Sequence, residues 1–186
     1  MRNFGVPGLA KWAELLTADR DPKGWPRLLD APGRQFQLLT RLYDWVETAG
    51  TGGGFFRTMY AEFLEQAAGP LDRPGLARVA GDYRRLAAAW TALARAAVAA
   101  GGDGALARAA ALLERRRRLV EEQGGAAADD LAAVQAELAA LAANSTHRQP
   151  LDESARAALL ADLRGRVLDL AEAEQAAAAT LRKELR

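Results

Sequence analysis

Cysteine is absent from this 186-residue chain, histidine occurs once, at His147, and lysine occurs only at Lys11, Lys23 and Lys183. The missing cysteine excludes disulfides, thiolate metal sites and a cysteine nucleophile, and one histidine cannot form a histidine cluster. No metal and no cofactor is therefore expected. Excess charge is missing as well: 25 basic residues stand against 24 acidic ones, which leaves no field to draw the protein to nucleic acid or to an anionic membrane. The N-terminus Met1-Arg-Asn-Phe-Gly-Val-Pro lacks a long apolar segment from which a secretory signal or a membrane helix could be built, so a cytoplasmic location is expected. No stretch alternates apolar and polar residues with a period of two, which argues against strands.

Arginine, alanine and leucine take the place of what is missing, a composition that points to a GC-rich bacterial genome. The length suits one domain able to bury roughly 70% of the surface its unfolded chain exposes. Four tryptophans, three tyrosines and five phenylalanines all lie between Phe4 and Trp90. Residues 1–100 thus form an aromatic-rich half, where shaped contacts and any concave site belong. Residues 101–186 form an Ala/Leu-rich half suited to close helix packing.

Apolar residues recur at helical spacing along the whole chain. Val6, Leu9, Trp12 and Leu16 mark a first helix, and Phe36, Leu39, Tyr43 and Val46 another. Phe56, Tyr60, Phe63 and Leu64 mark a third. Leu76, Val79, Tyr83, Leu86, Trp90, Leu93 and Ala97 fall on one stripe and predict a long helix from about Pro74 to Ala100. Asp72 is its candidate cap, and Gly101-Gly102 its stop. Two further helices carry Leu106, Leu113 and Val120, then Leu131, Val134, Leu138 and Leu141, with Gly124-Gly125 between them. After a polar break from Asn144 to Pro150, Asp152 is placed to cap a final helix through Leu160, Leu163, Val167, Leu170 and Leu181. Its length, over thirty residues, suggests that part of it lies along the bundle or meets a partner. The expected fold is an all-α, single-domain bundle of about six or seven helices with a long C-terminal helix.

Gly50-Thr-Gly-Gly-Gly54 ahead of a helix could present backbone N–H groups to an anion, with Arg57 adding charge from the first turn. It is not a P-loop, because Phe55 and Phe56 stand where lysine and a hydroxyl residue would follow the last glycine. The plainer reading is a link that lets two helices meet closely. Asp44, Glu47 and Glu62 have no spacing that defines a catalytic pair, and solvation or pairing with arginine is their default. Tyr43, Tyr60 and Tyr83, with Trp12, Trp45 and Trp90, fall on apolar stripes and serve either the core or an aromatic-lined pocket. Glu114-Arg-Arg-Arg-Arg118-Leu-Val-Glu-Glu122 reads as a solvated helix face rather than a nucleic-acid patch, since Glu114 can pair with Arg118, and Glu121 and Glu122 lie four residues after Arg117 and Arg118. Asn144-Ser-Thr146 matches a glycosylation pattern that a chain without a signal segment never presents to the machinery.

Three segments carry a resemblance. Val6-Pro-Gly-Leu-Ala-Lys-Trp12-Ala, Asp21-Pro-Lys-Gly-Trp25-Pro26 and Glu47-Thr-Ala-Gly-Thr-Gly-Gly-Gly-Phe-Phe-Arg57, continued by Tyr60-Ala-Glu-Phe63-Leu64, resemble the C-terminal helical domain of butirosin biosynthesis protein H-like acyltransferases. The likeness spans about the first hundred residues and is strongest from Gly50 to Tyr60. In that family the acyl-transfer machinery is thought to lie in a separate N-terminal domain, which is expected to be absent here because Met1 falls directly before the helical part. The resemblance implies an accessory role, shaping an acceptor pocket or docking an acyl-carrier protein, with that carrier or a separate catalytic domain as partner. Gly52, Gly53, Gly54 and Arg57 would then hold an anionic group such as a phosphopantetheine phosphate, with Trp12 and Tyr60 lining the neighbouring surface. The competing expectation is a non-catalytic helical scaffold that associates with other chains, or with itself, through the long C-terminal helix. An enzyme acting alone is disfavoured, since nucleophile, base and metal ligands cannot be assembled, and no catalytic residue is assigned.

Overall fold

A computed structural model describes residues 5–31, 33–48, 53–99, 104–145 and 151–186. Among them the chain forms eight α-helices and no strand: α1 (Gly5–Thr17), α2 (Trp25–Asp30), α3 (Arg34–Glu47), α4 (Gly54–Ala68), α5 (Gly75–Ala99), α6 (Ala105–Gln123), α7 (Ala128–Asn144) and α8 (Glu153–Glu184). A single 3-10 turn, Gly124–Ala127, joins α6 to α7. All but the short α2 are among the helices that the apolar spacing predicts.

Helix α5 is the axis of the bundle. Its stripe of Leu76, Val79, Leu86, Trp90, Leu93 and Ala97 is buried, and α3, α4, α6 and α8 all pack against it. Each such leucine contributes about 1.5–3 kcal/mol relative to leaving it in water. The long α8 returns along α1 and α5, placing Leu163, Val167, Leu170 and Ala177 in the central core. It is therefore a wall of the bundle for most of its length. Its start is held by Gln35, fully buried on α3, whose Nε2 donates to the Leu151 carbonyl at 3.3 Å while the Leu151 N–H donates to its Oε1 at 3.0 Å. Two smaller clusters flank the core, one between α4 and α5 and one between α6 and α7.

The caps divide. Asp152 accepts from the Ala155 N–H at 2.8 Å and so caps α8 as its position suggests. Asp72 does not cap α5: it sits at φ 51 in the turn that closes α4, where its N–H donates to the Gly69 carbonyl at 2.9 Å. The first turn of α5 is closed instead by backbone bonds to the carbonyls of Arg73 and Pro74. Val120, expected on the inner stripe of α6, is 55% exposed, and Leu112, Leu113 and Leu119 carry the burial. The basic run of α6 is laced with carboxylates, the expected Arg117–Glu121 pair among them, together with partners that its own spacing does not name. Arg117 holds Glu114 and Glu121, Arg115 reaches Asp130 on α7, and Arg116 reaches Asp44 on α3. Gly101, Gly102, Thr146 and His147 lie outside the described residues.

Gly53 and Gly54 have a packing reason. A Cβ on Gly53 would lie 2.6 Å from the Val46 carbonyl oxygen, and one on Gly54 would lie 2.8 Å from Thr91 Oγ1 and 2.9 Å from Glu47 Oε1. Only glycine lets the start of α4 press this closely against α3 and α5. That contact also fixes where Arg57, one turn further on, projects.

Candidate functional site

A cleft of about 680 Å³ opens beside the start of α4. Helix α1 contributes Gly5, Val6, Leu9 and Trp12, and the beginning of α2 contributes Trp25. Helix α3 supplies Leu38, Arg41, Leu42, Trp45 and Val46, while Gly53, Arg57, Trp90, Glu174 and Ala178 complete the lining. All four tryptophans of the chain face this one space, and its volume falls in the range of small-molecule sites.

The tryptophans are ordered against one another. Trp12 stacks on Trp90 with ring centroids 6.4 Å apart and planes 10° from parallel, and Trp25 leans on Trp12 at 6.1 Å and 45°. The Arg57 guanidinium lies over the Trp90 ring, its Cζ 5.3 Å from the centroid. From there it reaches Glu174 on α8, with Nη2 2.6 Å and Nε 2.8 Å from Oε1. Trp90 Nε1 donates to the same oxygen at 2.9 Å. Both side chains of this ion pair are largely shielded, 21% exposed for Arg57 and 14% for Glu174. One carboxylate oxygen thus accepts three N–H groups, and the charge of Arg57 is matched within the protein.

Of the residues singled out from sequence, Trp12, Gly53 and Arg57 meet at the cleft. Gly54 lies beside it, against Thr91 and Glu47, and Gly52 lies outside the described residues. Tyr60 is one turn further along α4, in a separate cluster with Tyr83 at 4.7 Å and Phe63 at 6.0 Å. Burial, chiefly, raises the pKa of Tyr83, with Tyr60 and Glu174 adding to the shift. Of the carboxylates considered as acids or bases, Glu62 is exposed on α4, while Asp44 and Glu47 serve the packing of α3. Asp44 pairs with Arg116, and Glu47 accepts from the Thr91 hydroxyl at 2.9 Å. Arg57 pairs with neither of them.

Glu174 is the functional candidate that sequence reasoning overlooked. Its signal was present: it continues the inward stripe Leu163, Val167, Leu170 toward Ala177, and a carboxylate on a buried stripe demands a cation. Arg57, in register with buried Ala61 and Leu64, is the complementary case on α4. Among the described residues no group of three or more His, Cys, Asp or Glu side chains could hold a metal ion, and no helix is long and apolar enough to cross a membrane.

The described residues thus define a helical bundle with a preformed, tryptophan-lined cleft. By sequence, the chain belongs to the family described as Domain of unknown function (DUF4872), whose model matches residues 1–126. That match covers α1 to α6, and so every cleft residue except Glu174 and Ala178. Neither the curated proteins nor the solved structures contain a significant match to the chain.

Proposed function

We propose that this domain is an accessory, non-catalytic unit of a butirosin-H-like acyl-transfer system, holding an apolar group in its cleft while the chemistry is done elsewhere. The group is either the acceptor's apolar part or the acyl chain presented by a carrier protein. The observation that carries this reading is the lining of the cleft: four tryptophans and a set of aliphatic side chains, with Arg41, Arg57 and Glu174 as the only ionisable groups among the described residues. Glu174 is fully engaged, its Oε1 accepting from Arg57 and from Trp90 Nε1. Arg57 is engaged by that same carboxylate, so binding rests on apolar contact more than on the anion site expected at the glycine loop.

Octanoyl-pantetheine titrated into the purified chain should change tryptophan emission saturably and raise the melting temperature. Unchanged emission together with silent calorimetry would remove the reading. So would turnover by the isolated chain that a point substitution within it abolishes.

A scaffold without a small-molecule site is the second reading, and one observation favours it. Phe56, Met59, Tyr60 and Phe63 form an exposed i, i+3, i+4, i+7 stripe on α4, a surface suited to another chain. Concentration-dependent association in sedimentation, lost on Phe63→Ser, combined with no ligand binding, would decide for it.

A further inference from the structure

We infer that the cleft selects an amphipathic monoanion, its apolar body among the tryptophans and its single negative head at Arg41; this rests on the reading of the cleft as a binding site. The charges on its walls are unevenly placed. At the shielded end, Arg57 and Glu174 neutralise each other and Trp90 Nε1 occupies the same carboxylate oxygen. A ligand charge entering there would have to give up water and displace an existing pair, so this end accepts an uncharged group. At the open edge stands Arg41, exposed, its Cζ 5.4 Å from the centroid of the Trp45 ring. Trp45 is itself 49% exposed. Arg41 has no carboxylate partner among the described residues, so the cleft carries two guanidinium groups against one carboxylate.

The complementary ligand follows from that layout. An apolar chain or ring displaces water from the wall formed by Trp12, Trp25 and Leu42, which is favourable in proportion to the apolar area covered. A carboxylate or phosphate on one end then meets the unmatched guanidinium at the rim, where a planar fork suits it. A cationic head would instead meet Arg41 as a like charge. This matters because an aromatic box with a carboxylate is otherwise a familiar setting for ammonium groups. Here the face of Trp90 and the carboxylate of Glu174 are already occupied by Arg57.

The test uses three probes of equal chain length: octanoate, octanol and octylammonium, titrated into the full chain while tryptophan emission is followed. Octanoate should bind about 3–10-fold more tightly than octanol, and octylammonium more weakly than either. In Arg41→Gln the octanoate advantage should vanish while octanol binding is unchanged, and in Arg41→Glu octylammonium should become the preferred probe. Arg41 is exposed, so both variants should keep the wild-type melting temperature, which is checked alongside. If octanoate and octanol bind equally in wild type and in Arg41→Gln, the charge assignment is overturned while the cleft remains a binding site. Preference for octylammonium in the wild type overturns it too. If no probe perturbs the tryptophans, the cleft is not a binding site and both readings fall together.

Discussion

The tryptophan-bearing helices and the α6–α7 pair bury their apolar faces in opposite ways. Between α6 and α7, Leu112, Leu119, Val134 and Ala127 of the joining turn close a small cluster in which the side chains are short enough for the helices to meet directly. Around α1, α3 and α5 the side chains are large and rigid. Trp12, Trp25 and Trp90 lean on one another through their rings instead of interdigitating, and they leave a cleft of about 680 Å³. Large planar groups therefore build a space as well as a core. The space persists because its frame is closely packed: Leu39, Leu93 and Leu163 behind it are fully buried.

The largest contrast should appear when leucines of the frame and of the cleft wall are truncated. Leu93→Ala removes a side chain surrounded on all sides and should cost about 3–4 kcal/mol in urea unfolding. Leu42→Ala faces the cleft, where one side already lacks partner atoms, and should cost about 1–2 kcal/mol. Equal losses would mean that the cleft closes in solution.

The Arg57–Glu174 pair comes next. Arg57→Ala strands a largely shielded carboxylate and should lower stability by about 2–3 kcal/mol, somewhat below the loss for a fully buried pair. The double variant Arg57→Met with Glu174→Leu should recover most of that, because neither charge then remains unmatched. An Arg57→Ala protein as stable as wild type would return Arg57 to the role of a free anion ligand at the glycine loop.

A subtler contrast concerns local stability. Helix α7 packs chiefly on α6 and the adjoining 3-10 turn, and Val134 is its one buried residue. Central α5 buries ten. Amide exchange in the middle of α7 should therefore be faster than at Leu93 and should proceed by local opening well below the global unfolding energy. Matching protection in the two helices would show that the bundle unfolds as one unit.

The architecture could be read in advance because helical spacing is a local property. Leu76 to Ala97 predicts one stripe, and that stripe is the buried face of α5. The cleft was legible only in part. Trp12, Trp45 and Trp90 were visible as aromatics on apolar stripes, but the same spacing serves a filled core and a lined pocket equally well. Only the crossing of α1, α3 and α5 decides between the two. Arg57 was singled out, yet its partner lies 117 positions away on α8, beyond what spacing can report. Gln35 and Leu151, 116 positions apart, show the same limit. Tyr60 was expected beside Trp12 on the surface next to the glycine loop, whereas the turn of α4 carries it into another cluster.

The smallest expected effect lies at Glu47, on the closely packed side of the glycine turn. Burial, above all, raises its pKa, the Thr91 hydrogen bond opposes the shift, and the nearby Glu114 adds to it. The folded protein therefore holds this proton to a higher pH than the unfolded chain does. From the ordinary glutamate value up to the raised one, the native state binds more protons, so stability falls as pH rises through that window and stays lower at neutral pH. Glu47→Gln keeps an oxygen to accept from Thr91 and has no charge to desolvate. At pH 7 it should melt about 1–2 °C above wild type, and the gap should close once the pH drops below the ordinary glutamate range. A gap that persists in acid would trace the gain to packing against Gly54 rather than to the charge.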